Sequence, residues 1–128
     1  MLGGAAVHEF DSPERCAAFV ATRGALEAVV RAADVWPDAL AILAREAARQ
    51  AATITAESLG HEPASAARRR CLRSALVATV GLTAACEAAR ASIRGGGEAL
   101  DEAERAATRA ISLLAMFLHA NTQTWPDD

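Results

Sequence analysis

The sequence predicts an all-α fold, an up-down-up-down antiparallel four-helix bundle formed by a single domain. Four amphipathic stretches follow one another along the 128 residues. Proline and glycine, which favour the first position and the end of a helix respectively, stand between these stretches. They occur in Ser12-Pro13, Trp36-Pro37, Gly60-His61-Glu62-Pro63 and Gly95-Gly96-Gly97. The connections are short, and short connections force neighbouring helices to run antiparallel.

The first helix is predicted over residues 13–33, after a tail at 1–11, with Asp11 or Ser12 as its N-cap. Gly24 weakens the middle of this helix by about 1 kcal/mol relative to alanine unless a neighbouring helix packs there. The second helix is predicted over 37–59 and ends at Gly60. Their apolar stripes have helical period and comprise Cys16, Phe19, Val20, Leu26 and Val30 in the first and Leu40, Leu43, Ala47, Ala51, Ile54 and Ser58 in the second.

The third helix is predicted over 64–94 and the fourth over 98–120. The fourth begins among acidic residues, which the positive end of a helix macrodipole favours, and Asn121 is its expected C-cap. The bundle domain then spans 12–121, and 122–128 is a tail. The stripe of the third helix comprises Leu72, Leu76, Thr79 or Val80, Thr83, Cys86, Ala89 and Ile93, and that of the fourth comprises Ile111, Leu114, Phe117 and Leu118.

Helices three and four carry more apolar residues than one buried stripe needs. Val77, Val80 and Leu82 broaden the third helix, while Leu113 and Met116 broaden the fourth. A helix that is apolar on more than one face favours a second partner. The simplest partner is another copy of the chain, so the sequence predicts a homo-oligomer with candidate interface residues Val77, Leu82, Leu113 and Met116.

Composition narrows the class of protein. The formal net charge is −3, which does not favour nucleic-acid binding by bulk electrostatics. There are five aromatic residues, so the predicted core is aliphatic and thin. Three cysteines without a C-x-x-C pair favour a reducing compartment. No apolar run reaches the roughly 18 residues that span a bilayer. We expect a cytoplasmic protein without a membrane partner.

The sequence contains one cluster of positive charge, which comprises Arg68, Arg69, Arg70 and Arg73. Positions 69 and 73 share a helical face and 70 borders it, so several guanidiniums could bind phosphates bidentately. The alternative is a solvated helix start whose arginines pair with Glu62 and the acids of the fourth helix. Arginine near a helix N-terminus opposes the macrodipole, which favours a role beyond local stability.

No arrangement of residues predicts catalysis, a cofactor or a metal site. The three histidines are scattered and none forms the Glu-x-x-His pair of di-iron bundles. His119 suits a helix C-terminus as a cation. Glu57 lies in a stretch of small and apolar residues, where it anchors the following turn or acts as a polar group in a pocket. Phosphate-binding, nucleophile-elbow and zinc motifs are absent from the sequence.

The segment from Leu43 to Ser58, LAREAARQAATITAES, resembles a signature of one bacterial family. This family comprises four-helix-bundle proteins encoded in intervening sequences of 23S ribosomal RNA genes, related to the accessory variability determinant of diversity-generating retroelements. Trp36-Pro37 stands for the family's aromatic-proline pair, and the run from Arg70 to Leu76 resembles the opening of its third helix. Ser58 and Ile54 depart from the family's glycine and asparagine.

That resemblance implies a four-helix protomer, a ring-like homopentamer and no known catalysis. In the retroelement branch it further implies a basic surface that binds nucleic acid and a reverse transcriptase. Two hypotheses about the function therefore remain open. One is a non-catalytic assembly module that engages RNA, DNA or a nucleic-acid enzyme through the arginine cluster. The other is a small-molecule-binding or catalytic bundle with a pocket between alanine-rich helices, served by Glu57 or His119.

Overall fold

The computed structural model describes residues 16–93 and 97–122, and these form the predicted four-helix bundle. The helices are α1 (Ala17–Ala32), α2 (Asp38–Ser58), α3 (Ala66–Ser92) and α4 (Gly97–Thr122). A single 3-10 turn, Ala33–Val35, links α1 to α2. No strand occurs within the two described ranges.

Each helix packs against two others in a closed cycle, because α2 contacts α1 and α3 while α4 contacts α3 and α1. This is the arrangement expected of helices joined by short connections. α4 continues to Thr122, two residues beyond the predicted end. The predicted N-terminal tail, the start of the first helix at 13, and residues 123–128 lie outside the described residues.

Alanine, more than the larger aliphatic residues, lines the interior. Buried alanines dominate the inner faces of α1 and α2, whereas Val20, Val30 and Leu43 are exposed, so the predicted stripes of these two helices were wrong at those positions. Because alanine side chains are short, the helices approach closely along these faces. The predicted stripe of α3 is correct at Leu72, Cys86 and Ala89, and of its two alternatives the structure buries Thr79 and exposes Val80.

The two ends of the bundle differ in their chemistry. At the end where α4 begins, Arg90 of α3 donates to Asp101 at 2.6 Å and also pairs with Glu104, while Arg31 of α1 donates to Glu102 at 2.7 Å. These exposed pairs join three helices around the start of α4, each with a small contribution to stability. The arginine cluster of α3 lies at the opposite end.

α1 is continuous through Gly24, and a Cβ atom built on that residue meets no atom within 4 Å. We therefore expect Gly24→Ala to raise the free energy of unfolding by about 0.5–1 kcal/mol, because it removes conformational entropy from the unfolded chain without a clash. Unfolding in denaturant measures this change in the free energy of unfolding. Gly97→Ala is the matched control, since Gly97 has φ +82° and alanine there is strained, so this change should destabilise. A loss of stability in Gly24→Ala would contradict the prediction.

Candidate functional site

Arg68 is a structural residue and does not belong to a nucleic-acid site. It is 3% exposed, and its Nε and Nη2 atoms donate to the carbonyl oxygens of Ser58 at 2.9 Å and Leu59 at 3.3 Å. The last carbonyls of a helix have no donor within the helix and carry partial negative charge. Arg68 therefore caps the C-terminus of α2, and its guanidinium carbon also lies 5.7 Å from the Phe117 ring centroid. Its assignment to phosphate binding was wrong.

The connection between α2 and α3 is tied to α4 by Asn121. The Ala64 N–H donates to the Asn121 Oδ1 atom at 2.9 Å, and Asn121 Nδ2 donates to the Phe117 carbonyl at 2.8 Å. Ala64 has φ +64°, a left-handed conformation that alanine rarely adopts. Ser65 then caps α3 by accepting from the Arg68 N–H at 3.1 Å. Asn121 is thus a buried long-range link inside α4, and its prediction as a C-cap was wrong.

The other three arginines divide into one that contacts the turn and two that face solvent. Arg69 is half-buried and its Nη1 donates to the Ala64 carbonyl. Arg70 and Arg73 are exposed and make no hydrogen bond or ion pair with any described residue. The alternative that the acids of the fourth helix neutralise this cluster fails for Asp101, Glu102 and Glu104, which pair with Arg90 and Arg31 instead.

The four candidate interface residues fall into two groups. Val77 and Met116 are 72% and 66% exposed, which leaves both free to contact a partner. Leu82 is fully buried in the main core, so its assignment to the interface was wrong. It lies on the inner face of α3 together with Ala75 and Ala89. Leu113 is half-buried and packs against the smaller apolar cluster around Leu72 and Leu114.

The outer face of α3 is apolar and small. Exposed residues on it include Ser74, Val77, Val80, Gly81, Ala84, Ala88 and Ala91. Among the described helices, α3 alone is long and apolar enough to cross a membrane by length and composition, although it packs in the bundle. A third of the most apolar 18-residue stretch of α3 is buried inside the bundle. Much of its apolar surface therefore faces outward, which sequence periodicity indicated only through Val77 and Val80.

The polar groups singled out in the sequence lie on different helices, Glu57 on α2 and His119 on α4. Glu57 is exposed at the rim of an open groove of about 580 Å³ between α1 and α2, lined also by Phe19 and Arg23. His119 lies exposed in the last turn of α4 and does not line that groove. In the described parts of the chain, no group of three His, Cys, Asp or Glu residues is placed to hold a metal ion.

Buried polar side chains are used by the fold itself. Thr22, Thr55, Ser58 and Thr79 each donate to a backbone carbonyl three or four residues earlier, at 2.6–2.9 Å. No buried side-chain nitrogen or oxygen in the described residues lacks a hydrogen-bond partner. The interior therefore offers no unpaired polar atom that would orient a ligand.

No known protein family, no curated protein and no solved structure matches this chain. The resemblance to the ribosomal RNA intervening-sequence proteins therefore depends on the motif residues alone.

We expect Arg68→Ala to lower the free energy of unfolding by about 2–3 kcal/mol, because it leaves buried carbonyls of Ser58 and Leu59 without their donor. Arg73→Ala, at another arginine of the cluster five residues later on the same helix, should change it by less than about 0.5 kcal/mol because that side chain is exposed. Guanidinium unfolding curves of both variants check this. Equal effects would contradict the assignment of Arg68 to the α2 cap.

Burial, with a contribution from the Glu104 carboxylate, raises the pKa of the Cys86 thiol from 9.0 to about 11. Below pH 9 the thiol is protonated in the folded and unfolded states. Between pH 9 and 11 only the unfolded thiol ionises, so stability falls as pH rises, by up to about 1.4 kcal/mol per pH unit. The chain has no lysine or tyrosine to mask this loss.

Urea unfolding between pH 8 and 11 measures the slope. Cys86→Ala should flatten it, although that variant is less stable throughout. A wild-type protein whose stability does not change over this range would contradict the prediction.

Proposed function

We propose that this chain is a non-catalytic helical-bundle module whose function is assembly, with another copy of itself as the first partner. The observation that carries the proposal is the apolar outer face of α3, where Val77 is 72% exposed. The solvent face of a bundle helix is normally polar, and a continuous apolar one favours a protein contact. Met116 adds a further exposed apolar side chain on α4.

The interior supports a non-catalytic role. General acid–base or nucleophilic catalysis needs polar groups within hydrogen-bond reach of each other and of a substrate. Here the buried hydroxyls donate to their own helices, and His119 does not line the groove at Glu57. The small-molecule alternative receives support only from the open groove at Glu57.

Nucleic-acid binding is a second candidate, favoured by one observation. Arg70 and Arg73 are exposed guanidiniums without partners among the described residues, and Arg69 lies beside them. Two or three arginines bind phosphate weakly in one chain, but an oligomer repeats the patch and gains avidity. The family resemblance implies the same surface, together with a pentameric ring and a reverse transcriptase as partner.

Light scattering of the full chain at micromolar concentration tests the assembly proposal. We expect a mass that is a multiple of the 13.3 kDa chain and that falls on dilution. Val77→Asp should shift the protein toward the monomer because it places charge in the buried contact. Val35→Asp is the matched control, since Val35 is also exposed, at 75%, but lies on the 3-10 turn. A monomer at every concentration would overturn the proposal.

If the arginines bind nucleic acid, we expect the affinity for a single-stranded oligonucleotide to fall steeply as the salt concentration rises, since each neutralised phosphate releases counterion. Arg70→Ala with Arg73→Ala should reduce the slope of log affinity against log salt by about one per lost phosphate contact. The same pair of substitutions should leave the unfolding curve unchanged. Undetectable binding at low salt would remove this candidate and leave a protein partner.

A further inference from the structure

We propose that two copies of this chain pair antiparallel along the outer face of α3, with Arg73 of each facing Glu87 of the other. This inference rests on the proposed function, self-assembly, and specifies its surface and geometry. The contact runs along a seam that we define by six exposed residues: Ser74, Val77, Gly81, Ala84, Ala88 and Ala91.

The spacing of the seam is that of a coiled coil. Its residues follow one another at intervals of three, four, three, four and three, which is the alternation of the two apolar positions of a heptad. Leu72, Thr79 and Cys86, also seven residues apart, are fully buried on the other side of the same helix. α3 therefore has one face that closes the bundle and a second, solvent-exposed face with the pattern of a helix–helix contact.

The seam has a projection and a recess one turn apart. Val77 is its largest side chain and is 72% exposed, while a Cβ atom built on Gly81 would meet nothing within 4 Å. In an antiparallel pair centred here, Val77 of each copy lies over Gly81 of the other. The remaining residues are alanine and serine, so two helices can approach as closely as their side chains allow.

The charges beside the seam select the antiparallel direction. Arg73 and Glu87 are exposed, make no ion pair or hydrogen bond with any described residue, and lie seven residues before and after Val80. In the antiparallel register each Arg73 meets Glu87 of the partner subunit, so two ion pairs form about one two-fold axis. A parallel pair would place both arginines at one end and both glutamates at the other.

One pair of helices with small side chains buries less than the 1,200–2,000 Å² or so of a standard interface. We therefore expect a dimer that dissociates on dilution in the micromolar range. Sedimentation velocity of the full chain over a hundredfold range of concentration gives the dissociation constant. The mass of the associated species should be twice that of the chain.

Charge substitution tests the direction of pairing. Arg73→Glu should weaken the dimer at least about tenfold, since it sets two glutamates against each other at both ends. Adding Glu87→Arg exchanges the two charges and should restore the wild-type dissociation constant to within a few-fold. Arg105→Glu, the same change at an exposed arginine of α4, is the matched control and should leave the constant unchanged.

Filling the recess tests the seam itself. Gly81→Gln should abolish pairing, because a long side chain at the centre holds the helices apart, while the folded monomer has room for it. Gly24→Gln makes the same change at the open glycine of α1 and should leave pairing intact. Circular dichroism verifies that both variants fold.

The outcomes separate the two proposals. A wild-type monomer at every concentration overturns both, as does a monomer that instead co-sediments with phosphatidylcholine vesicles. Association that survives Arg73→Glu and Gly81→Gln but is lost in Met116→Glu supports assembly and overturns pairing through α3. An associated mass five times that of the chain also overturns the two-fold geometry.

Discussion

Close packing of alanine against alanine is the constraint on which this bundle depends. Ala44, Ala48 and Ala103 are among the fully buried residues, and the few large side chains inside, such as Leu82 and Leu100, fill what the alanines leave. Short side chains set a small distance between helices and leave little interior space. Several larger aliphatic residues, among them Ile42, Leu43 and Val77, lie on the surface of the bundle instead. The surplus of apolar surface is thus a result of how the core is built.

The positions of the helices could be predicted from the sequence because proline and glycine act locally. Each helix begins and ends within a few residues of these signals wherever the structure describes it. The inward faces of α1 and α2 could not be predicted in the same way. Alanine is only weakly apolar, so the periodicity of valine and leucine dominates the pattern, and Val30 and Leu43 lie outside.

The residues of the candidate site also differ in whether the sequence could predict their roles. An exposed charge such as Arg73 is recognised from its place on a helix, and Val77 from its surplus over one apolar stripe. The sequence could not distinguish the role of Arg68 from that of the neighbouring arginines, because this role depends on carbonyls ten and nine residues earlier in the chain. Asn121 acts on a backbone N–H 57 residues away, and no local pattern encodes that distance. The seam of α3 combines a regular local spacing with exposure to solvent in the folded chain.

The amide of Asn121 has a consequence for the order in which the bundle is completed. The strained Ala64 and the start of α3 obtain this partner only from the last turns of α4. During synthesis from the N-terminus, α1, α2 and α3 leave the ribosome while the left-handed turn between α2 and α3 still lacks its acceptor. Arg68 can join those two helices early, since its partners precede it. The hydrogen bond that holds this turn therefore forms only after the fourth helix has been synthesised.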